Sequence, residues 1–218
     1  LSKREALSDY LKYLRENKTE QDGLYQDMLI PVTSFFRDQK CFDNLTKIVF
    51  PLITKNKKVG EPIRVWVAGC STGEEAYSIA ICLEEFFGDQ KETYQIFATD
   101  INEQCIAKAR TGIYTKKEVE KLTVQQLNQF FAKKDGNYQI NKTIRDTFVF
   151  AVHNFLKDPP FGKMDLISCR NVFIYMEPYL QKKALTTFHY ALNKKGFLLL
   201  GKSETISGVT DLFGSADK

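Results

Sequence analysis

The sequence predicts an α/β fold, a mostly parallel sheet with helices on both faces, of Rossmann-like type. Three observations carry that expectation. Short apolar runs of strand length alternate with amphipathic stretches of helical period along most of the chain. One of them, Val65–Ala68, runs into a glycine-bracketed turn, Gly69–Gly73, that opens a helix. Polar residues also follow several of the runs at once, at the strand ends where such sheets hold ligands.

Composition narrows the class. Of 218 residues, 43% are hydrophobic and 27% charged, the balance of a globular protein able to bury a full core. No apolar run reaches the ~18–20 residues of a membrane crossing, so no direct membrane insertion is expected. A net charge of +4 favours an acidic protein partner, and without a dense Lys/Arg face no nucleic-acid partner is expected. Cys41, Cys70, Cys82, Cys105 and Cys169 are scattered without C-x-x-C spacing, and there are two histidines. Reduced thiols in the cytoplasm and no metal site follow from that. Opening at Leu1 rather than Met, the chain reads as a piece of a longer protein, with the parent's other domains as partners.

In chain order, Leu7, Tyr10, Leu11 and Leu14 keep helical spacing, and a second helix carries Leu24, Met28 and Leu29 until Pro31 ends it. In VTSFFRD, Val32–Asp38, the two phenylalanines read as core anchors. Thr33 and Arg37 have no obvious structural task there, and a cap and a solvated charge are their bland alternatives. A third helix runs from about Cys41 to Ile53, with Pro51 expected to kink or shorten it.

The strand Val65–Ala68 leads through Gly69–Gly73 to a helix marked by Ala76, Ile79, Ala80, Leu83 and Phe87. Glycines there let backbone approach a ligand, and the helix start suits an anionic group. Gly69, Ser71 and Gly73 are thus cofactor-contact candidates. The same letters spell G-x-S-x-G, the hydrolase elbow with Ser71 as nucleophile, and Thr72-x-x-Glu75 also reads as a capping box. A cofactor loop predicts an acidic residue ending the next strand. Asp100 ends Tyr94–Thr99, 27 residues beyond Gly73, and its carboxylate suits two ribose hydroxyls. A capping box from Asp100 to Glu103 is its alternative. The hydrolase reading lacks an H-G-G-G-type oxyanion motif and leaves Asp100, Arg37 and Asn171 unused, so the cofactor reading leads.

After a helix to about Arg110, residues 111–147 break the rhythm. Thr123-x-x-Gln126 caps a short helix to Phe131, Lys134–Asn137 is a turn, and Tyr138 and Ile140 open small alternating strands. This reads as an inserted hairpin-type subdomain. Strands at Thr147–His153, Met164–Cys169 and Gly196–Gly201 follow, with a helix through Leu180, Ala184, Leu185 and Phe188. Gly69–Glu75, Asp100, His153-Asn154 and Arg170-Asn171 then stand at one sheet edge. His153 and His189 read as ordinary surface or core residues.

With those residues assembled, the chain resembles the CheR-type chemotaxis-receptor methyltransferases. The likeness lies in TSFFRD, RVWVAGCSTGEEAYSIAI, FATDI, KARTGIY, FVFAVHNFL and MDLISCRNVFIY, in that order. It implies a class I methyltransferase fold that uses S-adenosylmethionine, yields S-adenosylhomocysteine and methylates glutamates on helices of a chemoreceptor-type protein. It also implies a remnant of an N-terminal helical domain at 1–30, a methyltransferase domain at 31–218 and a small insert near 111–147. By motif, Thr33 and Arg37 resemble cofactor and active-site residues, Glu75 a ligand of the methionyl or ribosyl part, and Asp100 that of the ribose. Asn154 and Phe155 resemble the pair near the adenine; Arg170, Asn171 and Tyr175 resemble residues lining the methyl-transfer site. Arg37 and Tyr175 are the expected catalytic pair. Departures are Pro31 in place of the family's usual Asn, few helices before TSFFRD, an end at Lys218 before a final hairpin, and a tight 134–137 turn of the kind found in members without a receptor-tail tether. A methyltransferase-like module that only binds cofactor or scaffolds partners is the alternative the resemblance leaves.

Overall fold

A computed structural model of the chain describes residues 7–28, 33–58, 60–88 and 93–216, in two units, 1–32 and 33–218. In the first, α1 (Leu7–Glu16) and α2 (Lys18–Met28) flank Asn17, whose Oδ1 accepts the Glu20 N–H at 3.2 Å, as a helix cap does. Gln21 Nε2 donates to the Leu14 carbonyl at 2.7 Å, tying one helix to the other. The expectations for Leu29 and Pro31 lie outside the described residues.

The second unit opens with α3 (Gln39–Asn44), a π-helical turn (Leu45–Val49) and α4 (Phe50–Asn56). The expected kink at Pro51 takes this form. Proline brings no N–H and crowds the carbonyl four residues back, and the ladder widens just before it, with Phe50 N–H reaching the Leu45 carbonyl. Then come β1 (Ile63–Ala68), α5 (Glu74–Phe87), β2 (Tyr94–Asp100), α6 (Glu103–Thr111) and β3 (Ile113–Tyr114). These lead to α7 (Val124–Phe130), β4 (Phe131–Lys134), β5 (Asn137–Ile140), α8 (Lys142–Arg145), β6 (Phe148–Val152) and β7 (Met164–Cys169). A 3-10 turn (Phe173–Tyr175), α9 (Pro178–Ala191) and β8 (Leu192–Leu200) complete it.

The main sheet has the order β6-β2-β1-β7-β8, and every neighbouring pair is parallel. The chain steps outward from β1 through β2 to β6, then returns to β7 on the other side. The order therefore reverses between β1 and β7, the point where such sheets open a crevice. Alternation along β1 divides the core. Val65 and Val67 join the cluster around α5, while Trp66 and Ala68 join the one around α9. Trp66 is fully buried, and its indole N–H donates to Thr99 Oγ1 at 2.9 Å. At the N-terminal end of the strands, Asp165 accepts from Arg64 N at 2.8 Å and Asn193 Nδ2 at 2.7 Å, and pairs with Lys57 at 2.7 Å. That end is closed by its own polar groups.

The segment between β2 and β6 builds a separate antiparallel sheet, β3-β5-β4. Its hairpin turns on Asp135 and Gly136, both at positive φ (49° and 77°), the pairing a two-residue type I′ turn demands. Thr123 and Gln126 make both capping-box bonds, at 3.1 Å each, but α7 ends at Phe130 and the buried Phe131 starts β4. Strand β8 begins earlier than Gly196, directly out of α9. Its register slips between Met164 and Leu166, and a Cβ on Gly196 would stand 2.9 Å from the Met164 carbonyl.

Candidate active site

The turn after β1 is organised by backbone. Gly69 and Cys70 N–H both donate to the Thr99 carbonyl, at 2.8 and 2.9 Å. Ser71 N–H donates to Asp100 Oδ2 at 2.8 Å, and Asn102 N–H to Asp100 Oδ1 at 2.9 Å. Each carboxylate oxygen of the half-buried Asp100 is thus oriented by one N–H and keeps a lone pair, the pair of acceptors that two adjacent hydroxyls require. Neither capping box of this region forms. Gly73 is the cap residue of α5 and Asn102 that of α6, where its Oδ1 accepts the Cys105 N–H at 3.1 Å. The packing around the glycines gives a reason of its own for them. A Cβ on Gly69 would stand 2.7 Å from Val172 Cγ2, and one on Gly73 2.9 Å from Ala109 Cβ. With φ of 78° and 97°, both positions suit glycine through protein packing and backbone sign.

Arg170 draws three segments together. Nη1 lies 3.0 Å from Glu75 Oε2; Nη2 lies 2.9 Å from both Asp38 Oδ2 and the Arg37 carbonyl. Ser168 Oγ donates to Glu75 Oε1 at 2.6 Å, and Lys202 reaches Asp38 at 3.4 Å. The Arg170 side chain is 1% exposed, with its guanidinium over the Phe42 ring. Burial pushes the Glu75 carboxyl up, and the Arg170 charge and the Ser168 hydroxyl pull it back. Arg170 thus spends its Nη groups on the protein and acts as a joint.

The TSFFRD turn is pinned on its inner side. Phe36 N–H donates to Ser78 Oγ at 2.9 Å, Phe35 packs edge-on against Tyr114 and Phe131, and Phe36 and Asp38 hold positive φ. Thr33 and Arg37 are left half-buried. Thr33, Ser34 and Glu74 line a cavity of about 370 Å³ with Lys117, Glu118, Glu120 and Lys121. Glu74 is 3% exposed; burial raises its carboxyl above the usual range, and the Thr72 hydroxyl bonded to it opposes that. No motif in the sequence tells Glu74 from Glu75. In a G-E-E run, successive residues diverge by about 100° around the helix, and only packing decides which carboxylate faces which side.

Asn154 makes a local turn, its Oδ1 accepting Leu156 N–H at 3.0 Å. The Phe155 ring is in the core, 5.4 Å from Phe188. Asn171 holds φ 59°, and Tyr175 is 79% exposed in the 3-10 turn beyond it. Glu204, absent from every motif, accepts backbone N–H groups of that loop. His153 Nε2 lies 3.1 Å from the Pro159 carbonyl with its ring against Trp66 and Phe161; His189 is exposed beside Phe213. Among the described residues no hydrogen bond joins Ser71 to either histidine. Burial raises the Cys70 and Cys169 thiols, which suits inert packing. Among the described residues no helix is long and apolar enough to cross a membrane.

Residues 31–218 match the family described as CheR methyltransferase, SAM binding domain. An uncharacterized 104.1 kDa protein in the hypE 3′ region of Rhodobacter capsulatus is 44% identical over 95% of this chain, which spans 22% of that protein. Putative methyltransferase Cher3 of Pseudomonas putida is 35% identical over 92% of the chain and 76% of its own length. A chemotaxis protein methyltransferase of Listeria monocytogenes is 34% identical over 93% of the chain and 76% of its own length. Among solved structures, PKMT2 from Rickettsia typhi in complex with AdoHcy is similar at 18% identity and TM-score 0.46, over 78% of this chain and 26% of that one. The fold assignment rests instead on the strand order. The hydrolase reading of Ser71 is set aside, since that serine has no histidine and the match covers the whole α/β unit. The chain belongs to the CheR methyltransferase family, and its α/β unit is the S-adenosylmethionine-binding domain of a methyltransferase.

Proposed function

We propose that this domain transfers the methyl group of S-adenosylmethionine to glutamate side chains of a chemoreceptor-type signalling protein, forming methyl esters and S-adenosylhomocysteine. The observation that carries the reading is the Arg170 joint, which gathers the TSFFRD turn, the start of α5 and the end of β7 beside the β1/β7 crevice. In this reading residues 1–30 are the remnant of a helical domain, and 111–147 are a small insert.

The residues present fit the cofactor. Asp100 would accept its ribose hydroxyls through the lone pair left on each oxygen. Gly69, Ser71 and Gly73 shape the turn beneath it; Asn154 and the Phe155 backbone would border the adenine. Thr33, Glu75 and Asn171 would surround the methionyl part, with Arg170 holding Glu75 in place. When bound, the cofactor supplies an electrophilic methyl on a positively charged sulfur.

The remaining work belongs to the chain. A glutamate carboxylate is already ionised at neutral pH, so no base has to remove a proton. What is required is alignment of nucleophile and methyl and exclusion of water. Arg37 would orient the carboxylate by charge-assisted hydrogen bonds, and Tyr175 would present its hydroxyl and ring at the rim. The mild positive charge of the chain favours an acidic substrate helix. The test is incubation with tritiated cofactor and an acidic receptor helix, read as base-labile methyl ester. Cofactor binding without label on any glutamate-rich substrate would sink the transfer reading and favour a binding module.

A further inference from the structure

We propose that Glu204 is a positioning residue for methyl transfer, its carboxylate filling a nest of backbone N–H groups and so fixing the loop that carries Asn171 and Tyr175. The inference rests on the methyl-transfer reading above. Oε2 accepts the N–H of Asn171 at 2.9 Å and of Gly201 at 2.6 Å, while Oε1 accepts those of Val172 and Phe173 at 2.8 Å each. Three successive N–H groups turned toward one carboxylate form an anion site, and here the chain fills it with its own Glu204.

The geometry shows why such a clamp matters. Asn171 stands at φ 59°, a region costly for a residue with a Cβ, and the charge-assisted bonds offset that cost. On one side the loop continues from β7 and the buried Arg170; on the other, Phe173 is 1% exposed in the core. Tyr175, two residues further, sits in the short turn that its N–H closes on the Val172 carbonyl at 3.2 Å and that Gln181 Nε2 braces at the Phe173 and Met176 carbonyls. Glu204 fixes the backbone between those anchors, so a slip at 171–173 is transmitted both to Tyr175 and to the Arg170 joint. Position 201 is shaped for the carboxylate, since a Cβ there would stand 2.7 Å from Glu204 Oε2.

Two substitutions test this by different routes. Glu204→Gln keeps the volume but turns an NH2 toward two N–H donors. Gly201→Ala keeps the charge and crowds the carboxylate's seat, its Cβ standing 2.7 Å from Glu204 Oε2 and 3.1 Å from Asn171 N. For both, kcat should fall ~10–100-fold, the scale of a small misplacement of reacting groups, with little change in KM for the cofactor. Amide exchange at 171–173 should speed up while the melting transition stays cooperative. Glu204→Ala should recover turnover with added formate, a free carboxylate able to enter the nest. Parental kcat in both variants, or a raised KM with kcat intact, would overturn the positioning role. No formate rescue in a folded Glu204→Ala protein would do the same. A parental chain with protected 171–173 amides and no turnover would instead overturn the methyl-transfer reading, and the positioning role with it.

Discussion

Arg170 Nη1 lies 3.0 Å from Glu75 Oε2, and this contact joins the end of β7 to the first turn of α5. Both side chains are largely withdrawn from water (1% and 15% exposed), so the pair is screened little and neither charge is cheaply left alone. Asp38 shares the same guanidinium. Arg170→Met is expected to cost about 3 kcal/mol of stability, because Glu75 loses its counter-charge in a desolvated setting while Asp38 keeps only the more distant Lys202. Urea unfolding measures it. A loss under about 1 kcal/mol would mean the joint behaves as an exposed pair.

The buried Glu74 gives a pH dependence with a defined sign. Its folded pKa is raised, so between the ordinary carboxyl value and that raised value the folded chain keeps a proton that the unfolded chain releases. Glu74 therefore contributes stability below the ordinary value, and this is lost as pH rises through the folded one. Glu74→Gln should flatten that part of the curve, read from urea midpoints between pH 4 and 8 (an order-of-magnitude window about the carboxyl range). An unchanged slope would remove Glu74 as its source.

Asp100→Ala should weaken S-adenosylmethionine binding by roughly 1.5–3 kcal/mol, the scale of hydrogen bonds to a charged group. Because Asn102, not Asp100, caps α6, the helix should persist. Calorimetry gives the affinity and circular dichroism the helix content. Full affinity in the variant would rule Asp100 out as a main determinant.

Arg37→Ala and Tyr175→Phe should lower kcat more than cofactor affinity, since contacts made chiefly in the transition state appear in turnover. Arg37 should be the more damaging if it orients the carboxylate, with a loss on the order of 100-fold. Steady-state assays with tritiated cofactor decide. Parental turnover in both would exclude them from the reaction.

Ser71→Ala should retain a measurable part of methyl transfer, because its backbone N–H, not its hydroxyl, holds Asp100. A serine-directed covalent inhibitor should leave the chain unlabelled. Stoichiometric labelling at Ser71 would reopen acyl chemistry.

Much of the fold is legible in the sequence. Strand-length apolar runs alternating with helical periods leave few arrangements but a parallel, doubly covered sheet, and the turn signals bound its elements. The Asp135-Gly136 hairpin and the Thr123–Gln126 cap are equally local, because both depend on neighbours within four residues. Where local signals compete, the sequence misleads. Thr72-x-x-Glu75 and Asp100-x-x-Glu103 spell caps that do not form, since Glu75 is claimed by Arg170, 95 residues away, and Asp100 by the N–H of Ser71, 29 away.

What the sequence determined by itself is thus the class of fold, the β1 turn with its acidic partner on β2, and a motif set that resembles one methyltransferase family. Tertiary structure alone decided which of Glu74 and Glu75 meets Arg170, that Arg170 serves as a joint, that the Phe155 ring lies in the core, and that Glu204 seats the Asn171 loop. The physical reason is range. Periodicity and turn chemistry act over a few residues, whereas a buried charge or carboxylate is satisfied by whichever partner folding brings within about 3 Å, at any distance along the chain.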